Sequence, residues 1–188
     1  MSKFLKRNQI ELVVIDWFGV LSPNFYWCRQ SKESKALKIW CDMVFDNPEL
    51  LNDLMRGRYS ISELSQRGEP IEESFIVEMF MKDMDCYRPD FELLASIQAI
   101  FPNAKKVLAS DNFSLFDHIV TEYQLESHFD RLFLSHKLGA LKNDTESLFE
   151  NILREYSLDN FENCILIDDS EANCVKFRSK LGRAILVS

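Results

Sequence analysis

The sequence predicts an α/β protein, with a parallel sheet as its core and a helical cap inserted after the first strand. Two observations predict this fold class. Short apolar runs alternate with longer amphipathic stretches, as in chains built from strand–helix–strand units. One segment of the chain contains only helical patterns, and it separates the first apolar run from the second. We therefore assign residues 1–21 and 89–188 to the core and residues 22–88 to the cap.

The strands of the core are predicted from five continuous apolar runs, which is the pattern of strands that are buried on both faces of a sheet. The runs cover residues 12–15, 106–109, 131–134, 164–167 and 184–187. Amphipathic stretches at 113–123, 145–156 and 171–181 predict the helices between them. This alternation of strands and helices implies right-handed crossovers and strands that run parallel.

The cap is predicted from four helical patterns, at residues 31–45, 48–55, 60–66 and 70–84. Pro48 and Pro70 fit the first turn of a helix, where proline loses no hydrogen bond. Ser60 and Glu63 have the spacing of a capping box, in which each residue bonds the backbone of the other. The segment shows no convincing strand, and so it is expected to form a helical unit.

Composition narrows the class of protein. The chain has 188 residues and a net charge of -8, which argues against nucleic acid as a partner because phosphate contacts need Lys and Arg. Its apolar runs are shorter than the roughly 18–20 residues of a membrane span, so no membrane partner is expected. The five cysteines lack zinc spacing, which favours free thiols and a cytoplasmic location. The oligomeric state stays open.

Polar residues follow four of the predicted strands, where the ligands of parallel α/β proteins bind. In chain order they are Asp16, then Ser110 with Asp111 and Asn112, then Lys142, then Asp168 with Asp169. Carboxylates that are crowded together repel each other, and Mg²⁺ relieves the repulsion because it prefers oxygen ligands. A hydroxyl and an ammonium group would help to hold an anion. A carboxylate beside such a cation and a lysine can attack phosphorus.

The same positions resemble the four motifs of the haloacid dehalogenase-like (HAD) superfamily. The motifs are Asp16-Trp17-Phe18-Gly19-Val20-Leu21, Ser110 after an apolar strand, Gly139-Ala140-Leu141-Lys142, and Asp168-Asp169 with Asn173 nearby. Asn143 replaces the proline that usually follows the third motif. The insertion resembles the family's C1 cap, and residues 56–63 are similar to a run that is common in such caps. The resemblance implies a Rossmann-like core.

The resemblance also implies the chemistry. Asp16 would be the nucleophile, and Ser110 and Lys142 would be the other catalytic residues. The phosphate-binding set would be Ser110, Asp111, Asn112 and Lys142. Mg²⁺ would be held by Asp16, Asp168, Asp169 and the backbone carbonyl of Phe18. The expected function is a Mg²⁺-dependent phosphatase that acts on a small phosphorylated molecule through a phospho-Asp16 intermediate.

Phe18 departs from the family pattern, because most HAD phosphatases carry an aspartate there as general acid and base. A phenyl ring cannot move a proton, and general acid–base help is worth about 10²–10⁴-fold in rate. Two alternatives therefore stay open. One is a weakened or inactive member that serves as a binding or regulatory module. The other is a 2-haloacid dehalogenase-type hydrolase, although Asp168 and Asp169 form a pair typical of metal sites and dehalogenation needs no metal.

Overall fold

A computed structural model describes residues 10–187 of the chain. Within them, one sheet of five parallel strands has the order β3-β2-β1-β4-β5. The strands are β1 Leu12–Ile15, β2 Lys105–Ser110, β3 Arg131–Leu134, β4 Cys164–Asp168 and β5 Arg183–Leu186. This architecture confirms the predicted fold class. Residues 1–9 and 188, which the sequence analysis assigned to the core, lie outside the described residues.

The central position of β1 decides where a site can form. The chain fills one side of β1 with β2 and β3, and then crosses to the other side for β4 and β5. Ile15 pairs with Leu108 on one side and with Ile167 on the other. The ends of β1, β2 and β4 therefore lie side by side at the switch in strand order, where α/β proteins bind ligands.

Six α-helices lie between β1 and β2 in the described chain, and the first five of them fall within residues 22–88. These five are α1 Gln30–Glu33, α2 Lys35–Phe45, α3 Pro48–Met55, α4 Ile61–Ser65 and α5 Glu73–Lys82, and a 3-10 turn at Met84–Tyr87 follows. The single helix expected over residues 31–45 is two helices. Ser34 is extended there, and its side chain accepts a hydrogen bond from Leu37 N at the start of α2. The capping box of Ser60 and Glu63 is confirmed at the start of α4.

The other five α-helices follow residue 88, the first of them before β2 and the rest between the later strands. They are α6 Phe91–Ile100, α7 Phe116–Glu122, α8 Ser135–Leu138, α9 Leu148–Glu155 and α10 Glu171–Ser179, and a 3-10 turn lies at Leu125–Ser127. Sequence analysis missed α6. This helix begins after Asp90, and the side chain of Asp90 caps it by accepting a hydrogen bond from Leu93 N. It also began α9 too early, because a capping box of Ser147 and Glu150 fixes the start of that helix at Leu148.

The two faces of the sheet bury different sets of side chains, since successive residues of a strand point to opposite faces. Val13 and Ile15 belong to one buried cluster, and this cluster continues into Trp27 and Trp40 of the insertion. The other face packs on Phe149, Phe161 and Phe177, among others. The insertion, residues 22–88, thus shares one continuous hydrophobic cluster with one face of the sheet. The division of the chain into a cap and an α/β domain, with boundaries at residues 22 and 88, stays a prediction. None of the described helices is long and apolar enough to cross a membrane.

Candidate active site

A buried lysine joins the ends of β1 and β4. Lys142 Nζ lies 2.7 Å from Asp16 Oδ2 and 2.7 Å from Asp168 Oδ2. All three side chains are buried, and Asp168 is fully so. Asp16 is held at the edge of the sheet because its backbone N donates to Ile167 O of β4. The structure therefore brings together three residues that are up to 152 positions apart in the sequence (16 to 168).

The protonation of this group follows from its charges. Burial by itself lowers the pKa of Lys142, but the carboxylates of Asp16 and Asp168 outweigh burial and raise it, so the amine stays charged. Burial raises the pKa of Asp16; Lys142 opposes this shift and Asp168 adds to it. One ammonium and two carboxylates leave an excess of negative charge in a buried place. A further cation would balance that charge.

A chain of hydrogen bonds connects Asp16 with the insertion. Ser110 Oγ donates to Asp16 Oδ1 at 2.8 Å and accepts from Asn112 Nδ2 at 2.8 Å. Asn112 Oδ1 in turn accepts from the hydroxyl of Tyr26 at 2.7 Å. Asp16 Oδ1 also accepts from the backbone N of Trp17. The carboxylate of Asp16 is thus held in one orientation by several donors.

Lys142 and Asp168 are held in place by neighbouring polar residues. The backbone N of Lys142 donates to Asp111 Oδ1 at 3.0 Å, and burial raises the pKa of Asp111 to about 6 against the effect of Lys142. Asn143, which stands where the family pattern has proline, donates through Nδ2 to Asn173 Oδ1. Asn173 Nδ2 donates to both oxygens of Asp168. Asn143 therefore takes part in the network that orients Asp168.

Within residues 10–187, only one cluster of potential ligand side chains could hold a metal ion, and it consists of three carboxylates. One oxygen from each of Asp16, Asp168 and Asp169 lies within 4.8 Å of the others. Burial and the charge of Asp168 raise the pKa of Asp169, as expected where carboxylates crowd together. In the described chain no backbone N donates to the carbonyl of Phe18, which leaves that oxygen available. The donor set consists of oxygens, and it fits Mg²⁺.

Gly19 makes room for Asp169. Its φ is +74°, a conformation that favours glycine, and a Cβ added to it would lie 2.0 Å from Asp169 Oδ2. The carboxylate of Asp169 consequently rests directly against the backbone that follows Phe18. This contact brings Asp169, the residue directly after β4, to the loop that follows β1.

A cavity of about 300 Å³ opens above these residues. Asp16, Ser110, Lys142 and Asp169 line its floor, whereas the insertion supplies apolar walls. Phe18 lines it as well and packs into an aromatic group: its ring centroid lies 5.3 Å from that of Phe25 and 4.8 Å from that of Tyr26. The position where the family's phosphatases carry an acid is therefore part of the apolar wall.

Two contacts of the insertion were not foreseen from the sequence. Tyr26 reaches Asn112, as described above. Arg56, directly after α3, forms a two-point ion pair with Asp144. Arg56 begins residues 56–63, the run that is similar to family caps, so the sequence did draw attention to this arginine. Nothing in the pattern around Asp144 pointed to its partner.

Structural comparison identifies known proteins with the same fold. A predicted HAD-like family hydrolase from Porphyromonas gingivalis is 21% identical, with a TM-score of 0.74 over 95% of this chain and 91% of that chain. A HAD family enzyme from Bacteroides thetaiotaomicron, in complex with magnesium and inorganic phosphate, is 17% identical, with a TM-score of 0.68 over 94% and 93%.

A 2-haloacid dehalogenase from Pseudomonas syringae pv. Tomato is 14% identical, with a TM-score of 0.59 over 94% of this chain and 86% of that chain. No protein-family model matches the sequence, and neither does any curated protein. The likenesses cover nearly the full length of each chain. They confirm the expected HAD-like fold, which is known from proteins of different chemistry.

Proposed function

Because the chain has the HAD-like fold, we propose that it is a Mg²⁺-dependent phosphatase, which hydrolyses a small phosphomonoester through phospho-Asp16. The observation that carries this proposal is the contact of Lys142 Nζ with Asp16 Oδ2 at 2.7 Å, beside Ser110 and at the floor of a cavity. A fixed carboxylate, a permanent positive charge and a hydroxyl group are the groups that phosphoryl transfer to an aspartate needs.

The proposed reaction has two steps. A carboxylate oxygen of Asp16 attacks the phosphorus, the bond from phosphorus to the leaving oxygen breaks, and an aspartyl phosphate forms. A water molecule then attacks the phosphorus, and the bond to Asp16 breaks, which releases inorganic phosphate and restores the carboxylate. Lys142 balances the charge of Asp16 and of the transferring group. The hydroxyl of Ser110, which donates to Asp16 Oδ1 at 2.8 Å, would turn to donate to a phosphoryl oxygen.

Asp16, Asp168, Asp169 and the carbonyl of Phe18 would hold Mg²⁺. Bound there, the ion would neutralise the charge of the phosphoryl oxygens. Asp168 differs from Asp169 in its contacts: Lys142 donates to Asp168 Oδ2, and the backbone N of Ser170 donates to Asp168 Oδ1 at 2.9 Å. We therefore assign to Asp168 mainly the orientation of Lys142, and to Asp169 the more direct role toward the ion.

Phe18 limits which leaving groups the proposed reaction can expel. Its ring gives no proton to the leaving group, so the leaving oxygen must depart as an anion or take its proton from water. Acidic leaving groups tolerate this loss better than alkoxides do. The same observation favours a second candidate, a protein that binds a phosphoryl group with little turnover. The third reading, a dehalogenase, is less well supported because three carboxylates crowd around one point.

The test is hydrolysis of aryl, sugar and nucleotide phosphates in the presence of Mg²⁺, with Asp16→Asn and Asp159→Asn compared. Asp159 is exposed and remote from the cavity, so its variant is expected to keep full activity. Asp16→Asn is expected to lose turnover, because an amide is a poor nucleophile. Equal activity in both variants would contradict the mechanism. Thermal stabilisation by Mg²⁺ and phosphate without turnover would favour the binding protein, and metal-free halide release from 2-halo acids would favour the dehalogenase.

A further inference from the structure

The two ends of the cavity above Asp16 differ in charge. Its charged lining residues, Asp16, Asp111, Lys142 and Asp169, all come from the strand ends and the loops that follow them. The described residues that the insertion contributes are uncharged. They are Phe25, Tyr26, Phe45, Leu51 and Met55. A ligand that sets a phosphoryl group on the floor would therefore place its organic group against the apolar end.

Two polar groups of the cavity, one at each end, are already bonded within the protein. Tyr26 donates its hydroxyl hydrogen to Asn112 Oδ1 at 2.7 Å. The ammonium of Lys142 is held by two carboxylates at 2.7 Å each. Burial of a hydroxyl or a charge without a new partner is unfavourable, and far more so for the charge. A sugar ring or a second anionic group would lose its water at the apolar end and find no replacement.

The apolar end does offer aromatic surface. Phe18 and Phe25 lie with their centroids 5.3 Å apart and their planes at 31°, and Phe25 is 60% exposed at the mouth. Aromatic rings gain from such offset and edge contacts beyond their buried area. The volume of about 300 Å³ is at the lower limit of the roughly 300–1,000 Å³ that is usual for ligand pockets. The organic group must therefore be compact.

We propose that this site selects phosphoryl compounds whose organic group is compact, apolar and uncharged, with a planar ring as the best fit, over sugar phosphates and nucleotides. The inference rests on the proposed function for the phosphoryl end of the ligand, and on the lining of the cavity for the organic end. It concerns binding, and so it is separate from the effect of Phe18 on the leaving group.

The test uses probes that cannot be hydrolysed: phenylphosphonate, 4-carboxyphenylphosphonate and inorganic phosphate, titrated calorimetrically into the protein with Mg²⁺. Phenylphosphonate is expected to bind about tenfold more tightly than inorganic phosphate. The carboxylated probe is expected to bind no more tightly than inorganic phosphate. Equal affinity for the two phosphonates, or binding of neither, would overturn the proposal.

Variants locate the effect in the cavity. Phe25→Ala changes an exposed ring, and it should reduce the preference for phenylphosphonate while the affinity for inorganic phosphate stays the same. Leu51→Arg places a cation at the apolar end and should reverse the preference between the two phosphonates. Leu138→Arg is the matched control, because Leu138 is exposed and lies outside this cavity. An unchanged preference in Phe25→Ala would overturn the proposal even if Leu51→Arg did not fold.

Turnover separates the two proposals. Selective binding of phenylphosphonate without hydrolysis of phenyl phosphate would leave the selectivity intact and refute the phosphatase. Hydrolysis of phenyl phosphate and glucose 6-phosphate with equal kcat/KM would support the phosphatase and overturn the selectivity.

Discussion

Arg56 binds the carboxylate of Asp144 with two nitrogens, at 2.9 Å from Nε to Oδ2 and 2.5 Å from Nη2 to Oδ1. Asp144 Oδ2 also accepts from the backbone N of Leu141 at 2.9 Å. The carboxylate thus bridges the insertion and the turn that carries Lys142. Nearby, Ser135 Oγ contacts the carbonyl of Met55 at 2.7 Å, so the end of α3 is attached at a second point.

Arg56→Lys is expected to lower the free energy of unfolding by about 1 kcal/mol, because lysine cannot form the two-point contact with a carboxylate. Lys142 should also be held less firmly, and kcat/KM should fall. Urea denaturation and steady-state kinetics measure both. Arg58→Lys is the control, since Arg58 is 61% exposed in its ion pair with Asp53. Equal losses in the two variants would show that the Arg56 contact has no special role.

Gly19→Ala is expected to abolish activity by displacing Asp169, whose Oδ2 lies 2.0 Å from the position of the new Cβ. Gly139→Ala separates this clash from backbone strain. Gly139 has a φ of +70°, close to the +74° of Gly19, and nothing lies within 4 Å of its Cβ position. Both variants should lose about 1–2 kcal/mol of stability from the left-handed conformation. If Gly139→Ala lost as much activity and Mg²⁺ affinity as Gly19→Ala, strain and not the contact with Asp169 would be the cause.

The residues at the strand ends could be predicted because parallel strands bring their carboxyl ends to one edge. Each apolar run predicts a strand, and Asp16, Ser110 and Asp168 stand at the carboxyl ends of three such runs. This was sufficient to predict that they meet at one edge of the sheet. The start of α4 was equally local, because Ser60 and Glu63 bond each other within one turn.

The contacts of Tyr26 and Asp144 could not be predicted, because each depends on how the insertion packs on the core. Tyr26 lies in a loop before α1, next to Trp27, which has a φ of +52°. Such a conformation is set by tertiary packing. Here Trp27 is buried, and its ring stacks on that of Phe113. The break at Ser34 has a similar origin: serine is acceptable within a helix, but it caps α2 in this setting.

Mg²⁺ is expected to raise the melting temperature, since it would bind the folded carboxylate cluster and not the unfolded chain. At a concentration ten times the Kd, the gain is about 1.4 kcal/mol. Asp169→Asn should remove most of the shift, whereas Asp159→Asn, an exposed position elsewhere, should retain it. Scanning calorimetry with and without Mg²⁺ measures the effect. A full shift in Asp169→Asn would exclude this carboxylate from the ion's ligands.

Phe18→Asp is expected to raise hydrolysis of alkyl phosphates by up to about 10²-fold relative to that of aryl phosphates, because it restores a group that can protonate the leaving oxygen. Phe18→Asn is the control, since it is polar and of similar size to aspartate but carries no acid. Both lose the contacts with Phe25 and Tyr26, which is expected to cost about 3 kcal/mol of stability. Rates are therefore measured well below the melting temperature of the variants, over phenyl phosphates of graded leaving-group pKa. The same dependence on leaving-group pKa in both variants would argue against the assigned role of position 18.

The buried ring of His136 is expected to make the protein less stable in mild acid. Burial lowers the pKa of His136; the carboxylate of Asp117, 3.3 Å from Nε2, opposes this shift without reversing it, and Lys137 adds to it. Between the folded pKa and about 6.5, the unfolded chain binds more protons than the folded one. The free energy of unfolding should therefore fall as the pH falls through this window, and it should not change on this account above it.

His136→Gln removes the titration and keeps an amide that can donate to the carbonyl of Asn112, as Nδ1 does at 3.1 Å. Urea denaturation at pH 7.5 and pH 5.5 should show a larger loss in the wild-type protein than in this variant. All other titrating groups are common to both proteins, so the difference reports on His136. A smaller loss in the wild-type protein would mean that the ion pair with Asp117 outweighs burial, and that protonation of His136 stabilises the fold.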